Sequence, residues 1–304
     1  MAFPASAGYT NLPNGNWSPV IYSRKALMFF RTTSVAQDIT NSDYSGEIKA
    51  FGDTVRIIKE PVITQRAYKR GTKIEPQDLA DEDLSLVIDQ ANYVAFAVDD
   101  IEKSMSHIAW EGMAVSSGGY ALRNAFDQEV LAHMYSNATA GSNTGTDGAP
   151  KTIGFGAGND FSPSDYISRF ATILDENDIP EEGRYIVANP AFYEALRRED
   201  SKLIEVSVTG DAESLLRNYK LGTSKQIHGF TMYKSNNLAQ SASSRRVILA
   251  GHKSAVATAN SVTESEKMRR ESTFGDMYRS LLVYGRKVLR PEALFSGHVT
   301  IGDV

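Results

Sequence analysis

The chain contains no cysteine. Disulfide staples, thiolate nucleophiles and cysteine-based zinc sites are therefore excluded, and a reducing compartment is compatible. Histidine is scarce: His107, His133, His228, His252 and His298 are all there are, and none stands in an H-x-x-x-H or H-E-x-x-H spacing. The strong zinc signatures are missing for that reason. No G-x-S-x-G elbow occurs to anchor a hydrolase triad. No run approaches the roughly 18 apolar residues that a membrane-spanning helix needs. Positive charge is not in excess either. The 32 Lys and Arg against 37 Asp and Glu leave a net charge of −5, which argues against a nucleic-acid binder that works through a basic surface. The opening MAFPASAGYTNLPNGNWSPVIYS lacks a basic stretch followed by an apolar run, so no signal peptide is expected.

What is present supports a globular fold. The 304 residues are 41% hydrophobic, enough for one large domain or two with a sizeable core. Residues 1–20 are rich in Gly, Pro, Asn and Ser. Such an arm is either disordered or ordered by a neighbour. Residues 24–35, RKALMFFRTTSV, are apolar enough to dock a short helix or strand.

A long β-hairpin with a polar tip is expected next. Gly52-Asp53 reads as a turn, and the return limb alternates at Leu84, Leu86 and Ile88, then at Val94, Phe96 and Val98. Its charges are segregated: Arg66, Lys69, Arg70 and Lys73 on the outgoing side, then Glu75, Asp78, Asp81, Glu82 and Asp83. Two readings stay open, a solvated hairpin of mixed charge or an arm whose two signs meet complementary surfaces on neighbouring subunits. Ser104 to Asn137 is the longest helical segment, striped by Leu122, Phe126, Val130 and Met134, with Met105, Ile108 and Met113 extending the stripe. Gly118-Gly119 in its middle predicts a bend or a fray.

Residues 138–160 are Gly-, Ser- and Thr-rich and read as a flexible loop. Their Gly154 to Gly158 stretch, GFGAG, lacks the spacing, the Lys-Ser/Thr and the preceding strand of a phosphate loop. SPSDYISRFATILDEN is a well-marked helix, with Ser162 as cap, Pro163 first and Asp165 in the first turn. IPEEGRYIVANPAFYEALRR reads as a turn, a strand over Arg184 to Ala188, an Asn189 cap, and a helix begun by Pro190 that buries Phe192, Tyr193 and Leu196. A structural joint is expected there, because no glycine follows Gly183 to let a ligand approach the backbone. GDAESLLRNYKLG suggests a shorter helix, IHGFTMYKSNNL a strand with an Asn-Asn turn, RVILAGHKSAVATA a strand with a short helix, and Met277 to Leu289 a long β run. Paired acids such as Asp99-Asp100 and Glu181-Glu182 sit where turns and helix starts would place them. No residue carries a catalytic, cofactor-binding or metal-binding expectation.

The ordered set EIKAFGDTVRI, YVAFAVDDIEKS, a long helix, ILDENDIPEEGRYIVANPAFYEAL with its VPxxGR-like turn, HGFTMYKSNNL, ILAGHKSAVATA and FGDMYRSLLVYGRKVLRPEAL resembles the tailed-bacteriophage major capsid proteins over about residues 18–298. The resemblance implies an α+β fold shared with encapsulins. Its parts would be an N-terminal arm (1–45), an extended hairpin loop (46–98), a spine helix and flexible loop of a peripheral domain (99–159), an axial α/β domain (160–268) and closing strands of the peripheral domain (269–304). It implies a non-enzymatic coat protein without cofactors that self-assembles, as hexamers and pentamers, into an icosahedral head around double-stranded DNA. Assembly would take place in the host cytoplasm, and the product would be the virion. Implied partners are a scaffolding protein, since no built-in coiled-coil segment is visible, a portal, a decoration protein, and DNA without sequence-specific contacts; a membrane is not among them. The nine charged hairpin residues are the implied inter-subunit contacts. The alternatives are an encapsulin-like nanocompartment shell, or an α/β ligand-binding protein or enzyme using the 138–160 loop.

Overall fold

A computed structural model describes residues 34–44, 54–58, 63–71, 73, 76–77, 83–100, 110–141, 143–155, 158–196, 226–238, 245–271 and 274–302. In chain order its elements are α1 (Ala36–Ile39), β1 (Thr54–Ile58), β2 (Asp83–Asp99), α2 (Trp110–Asn137), β3 (Thr139–Ala140), β4 (Lys151–Ile153), α3 (Pro163–Glu176), β5 (Arg184–Ala188), α4 (Pro190–Leu196), β6 (Gln226–Ile227), β7 (Phe230–Lys234), β8 (Arg245–His252), β9 (Val256–Arg269), β10 (Gly275–Val288) and β11 (Leu294–Ile301). They form two sheets. One is antiparallel with order β1-β2-β10-β9. The other is mixed, with order β3-β11-β8-β5-β7-β6 and β4 also on β11.

The mixed sheet is covered on both faces. Every residue of β5 is buried, and the strand splits between two cores. Tyr185 and Val187 pack with Phe126, Val130, Leu131 and Met134 of α2. Ile186 and Ala188 pack with Ile167, Phe170 and Leu174 of α3 and Phe192 and Leu196 of α4. A strand covered on both faces reads as an unbroken apolar run, as this one does.

The helices start as their sequences demand. Ser162 accepts the Asp165 N–H, and Asn189 Oδ1 accepts the Ala191 N–H at 3.1 Å. The turn before β5 is held by Arg184, whose side chain is almost fully buried. Its Nε donates to the Pro180 carbonyl at 2.9 Å, its Nη2 donates to the Ile179 carbonyl, and Nη2 stands 2.7 Å from Asp175. Gly183 takes φ +88°, and a Cβ there would meet His252 at 3.1 Å. The Gly-Arg pair is therefore a structural joint. A feature absent from the sequence reading lies between β6 and β7: His228 and Gly229 both have positive φ, which makes a tight two-residue hairpin turn.

In the antiparallel sheet β2 alternates exposed and covered residues along all 17 positions. Its even-numbered side faces α2. Sequence reasoning placed a bend or fray at Gly118-Gly119, but the helix runs unbroken from Trp110 to Asn137. Gly118 serves packing instead: a Cβ there would stand 3.3 Å from Val94 Cγ1, so the helix lies close on the sheet. Leu122, Phe126, Val130 and Met134 are buried as expected.

Residues 138–160 differ from the expected flexible loop. β3 and β4 pair in parallel with β11. Thr144 is buried and donates to the Ser296 carbonyl at 3.1 Å, and Tyr166 donates to the Thr144 carbonyl at 2.6 Å. Backbone pairing to a buried strand fixes the segment despite its composition. β9, which runs from Val256 to Arg269, pairs with β10, and β11 pairs with β8. The Gly52-Asp53 turn, Met105, Ile108 and the helix expected in GDAESLLRNYKLG lie outside the described residues.

Candidate assembly surface

β1 and β2 pair antiparallel from Thr54↔Val87 to Ile58↔Asp83, so the two limbs of the hairpin form as expected. Past Ile58 the outgoing limb has no ladder among the described residues. Arg66, Lys69, Arg70 and Lys73 are exposed there and make no ion pair with a described residue. Thr64 N–H donates to Gln77 Oε1 at 3.0 Å across the limbs. Of the acidic set, Asp83 stands 3.6 Å from Arg56, while Glu75, Asp78, Asp81 and Glu82 lie outside the described residues.

Sequence reasoning marked the charges but not the apolar residues beside them. Ile58, Ile63, Tyr68 and Tyr93 are each more than two-thirds exposed, and Tyr93 faces Leu281, also exposed, across the β2–β10 register. Among the described residues every large exposed apolar side chain lies on the hairpin, the antiparallel sheet, its β9–β10 turn or α2. The mixed sheet shows none. Alternation in β2 was the available signal: one side faces α2, and the odd-numbered side, with Val87 and Tyr93, faces out.

Two polar clusters fix this platform. Asp127, fully buried on α2, accepts the Val35 and Ala36 N–H groups at 2.7 and 2.8 Å, the Ser34 hydroxyl at 3.1 Å and Asn237 Nδ2 at 2.7 Å. It thereby ties down the segment ahead of the hairpin. An acid directly after Phe126 in a buried stripe was its only sequence trace. Farther along the helix, Glu129 accepts from Asn92 Nδ2 at 3.0 Å, Arg286 Nη1 at 3.0 Å and the Tyr284 hydroxyl, linking α2 to β2 and β10. Burial alone would raise the Glu129 carboxyl, but the hydrogen bonds from Tyr284, Asn92 and Arg286 outweigh it and hold it below the usual range. Burial pushes His133 down, with Arg286 and Lys287 adding to the effect and Asp89 opposing it. Burial likewise lowers His298, against the pull of Asp147. Across the sheet, Arg279 pairs with Glu266 on the side away from α2, while Lys267 pairs with Asp276 at 3.2 Å on the side that carries Tyr278, and Arg269 pairs with Asp100 at the sheet's end.

Among the described residues no group of three His, Asp or Glu is placed to hold a metal, and no helix is long and apolar enough to cross a membrane. The Gly154 region packs on itself, since a Cβ on Gly154 would meet Asn159 at 2.8 Å. What the arrangement offers is surface: an exposed, basic and apolar stretch of hairpin beside a braced sheet.

A family model described as phage capsid protein matches residues 87–296. The solved structure from Mycobacterium phage Che8 superposes with a TM-score of 0.74 at 26% identity, covering 94% of this chain and 97% of that one. The capsid structure of the cyanophage P-SCSP1u gives 0.71 at 17% identity over 100% of both chains. The capsid of an empty GTA particle gives 0.65 at 12% identity, over 98% of this chain and 99% of that one. No curated protein sequence matches the chain.

Proposed function

Because the chain belongs to the phage capsid protein family and is a major capsid protein that builds the head shell of the virion, we propose that its hairpin is the arm by which neighbouring copies are held in register. The observation that carries this is the coincidence, on one projecting element, of exposed Ile58, Ile63 and Tyr68 with Arg66, Lys69, Arg70 and Lys73. Apolar side chains lose water on contact, at roughly 25 cal/mol per Å² before association costs. The charges set orientation and reject wrong registers. Many modest contacts of this kind form reversibly, so a misplaced subunit can leave before the shell closes. Glu75, Asp78, Asp81, Glu82 and Asp83 supply the opposite sign for a neighbour's basic residues.

In this reading the antiparallel sheet with α2 is the peripheral domain and the mixed sheet is the axial domain. The shell is icosahedral, with hexamers and pentamers enclosing double-stranded DNA. The net charge of −5 suits an interior that does not grip entering phosphates. A separate scaffolding protein and a portal complete assembly. The encapsulin reading is not favoured by the family match. The ligand-binding reading loses its premise, because the 138–160 segment is pinned to β11.

The test is charge reversal at the tip. The triple variant Arg66→Glu, Lys69→Glu, Arg70→Glu is expected to leave the thermal midpoint of the subunit unchanged and to abolish closed shells in negative-stain electron microscopy. Shells at normal yield would refute the register role.

A further inference from the structure

Among the described residues three buried side-chain atoms lack a hydrogen-bond partner, and two of them are imidazole nitrogens, His133 Nε2 and His298 Nδ1. A buried polar atom without a partner calls for an explanation. Both mark one place in the fold. His133 lies on the last turn of α2, among charges from the antiparallel sheet: Arg286 and Lys287 of β10 and Asp89 of β2. His298 lies on β11 of the mixed sheet and is only 3% exposed. Its ring packs on Tyr135 of the same turn, with centroids 5.6 Å apart and Nε2 3.5 Å from the Tyr135 hydroxyl. One helical turn thus meets each sheet through a histidine.

Neither ring accommodates a second proton. Asn137 Nδ2 donates to the His133 carbonyl at 2.8 Å, which fixes the amide with its N–H side toward His133 Nδ1 at 3.4 Å. Nδ1 is therefore the acceptor, and the ring proton sits on Nε2. A second proton would meet an N–H donor on one side and leave the other N–H buried without an acceptor. A helix C-terminus favours positive charge. Here Arg286 and Lys287 oppose it, and Glu129, one turn back, is held by Tyr284, Asn92 and Arg286. Around His298 the charged groups are Asp147 and Arg245, and Tyr135 is the remaining titratable neighbour. Nδ1 stands 3.8 Å from Asp147 Oδ1, beyond hydrogen-bond reach. Arg245 Nη1 already holds that residue, 3.5 Å from the same oxygen and 2.6 Å from its carbonyl. An imidazolium buried there would lose its hydration for a carboxylate it must share.

We propose that the last turn of α2, His133 to Asn137, is an acid-released joint between the two sheets. Near neutral pH both rings are neutral and the turn is closed. In acid, protons bind more readily once the turn lifts and the rings reach water, so the turn opens locally while the rest of α2 stays packed. The subunit thereby has one place where its two sheets can change their mutual setting without either unfolding.

Amide hydrogen exchange on the full-length, unassembled subunit tests this, with each rate divided by the intrinsic rate at the same pH. Between about pH 7.5 and about pH 5, a range in which Glu129 stays ionised, the amides of residues 134–137 are expected to lose about tenfold in protection. Those of residues 115–126 and of β5 are expected to change by less than about twofold. The double variant His133→Gln, His298→Gln is neutral at both pH values and is expected to remove the loss. His133→Gln alone, at a half-buried helix position, is expected to reduce the loss to about threefold, and it decides the matter should the double variant not fold. Protection that does not change in the natural chain overturns the proposal. So does a loss that persists in the variants, or one that spreads equally to residues 115–126 and β5.

Discussion

At Asp127 one carboxylate replaces water for two buried backbone N–H groups and for a hydroxyl and an amide that are partly covered. Asp127→Ala leaves the Val35 and Ala36 N–H groups buried without that acceptor. The expected cost is about 3 kcal/mol, read by urea unfolding of the subunit, and a loss below about 1 kcal/mol would mean that the anchor is dispensable. Ionisation matters at three other residues. His133 and His298 are held below their ordinary value of 6.5, so the unfolded chain binds more protons than the folded one as pH falls beneath that value. Glu129 is held below 4.5, so its contribution is complete above that value and is lost as pH falls through its folded value. Both act in the same direction. The thermal midpoint is expected to decline from about pH 6.5 downward and more steeply beneath about 4.5. Glu129→Gln should flatten the lower limb; an unchanged profile would show that the carboxylate contributes nothing there. Sequence reasoning reached the caps Ser162 and Asn189 because capping is local. It missed Asp127 and Glu129 because their partners lie 37 to 157 positions away, where spacing carries no signal.

Elements were more legible than residues wherever a single period ran long enough. The alternation of β2 and the stripe of α2 emerged as read. The segment 138–160 did not, since strands of two and three residues have no period and their order comes from β11. Gly118-Gly119 was read as a breaker, although the close approach of Val94 makes glycine the residue that fits. Two glycines test this view of elements as packed surfaces. A Cβ on Gly297 of β11 would fall 2.0 Å from the Tyr166 hydroxyl and 2.9 Å from Phe170 Cζ, so α3 rests directly on this glycine. Gly297→Ala is expected to cost about 3 kcal/mol in thermal unfolding. Gly119→Ala, in open space on a helix, is expected to gain about 0.5–1 kcal/mol. Equal effects at the two positions would contradict the packing described.

For the whole molecule, the role in a shell was legible only through the order of its segments. No residue type announces assembly, because modest apolar and charged surfaces look ordinary in a sequence. If the charged tip sets register, assembly followed by light scattering is expected to slow as salt rises from about 0.05 to 1 M, where screening shortens to about 3 Å. A rate indifferent to salt would leave the apolar residues as the whole driving force. One topological fact described above reaches further. β11 lies between β8 and the short strands β3 and β4, and β9 and β10 complete the sheet that β2 begins, so neither sheet can close until the strands after residue 245 exist. During synthesis the hairpin leaves the ribosome early, but the platform that aims it arrives late. A chain stalled before β8 has an arm and nothing to mount it on. If the hairpin is the arm that holds register, subunits cut short by interrupted translation are expected not to present it, and strand order would then act as proofreading at the level of the single copy.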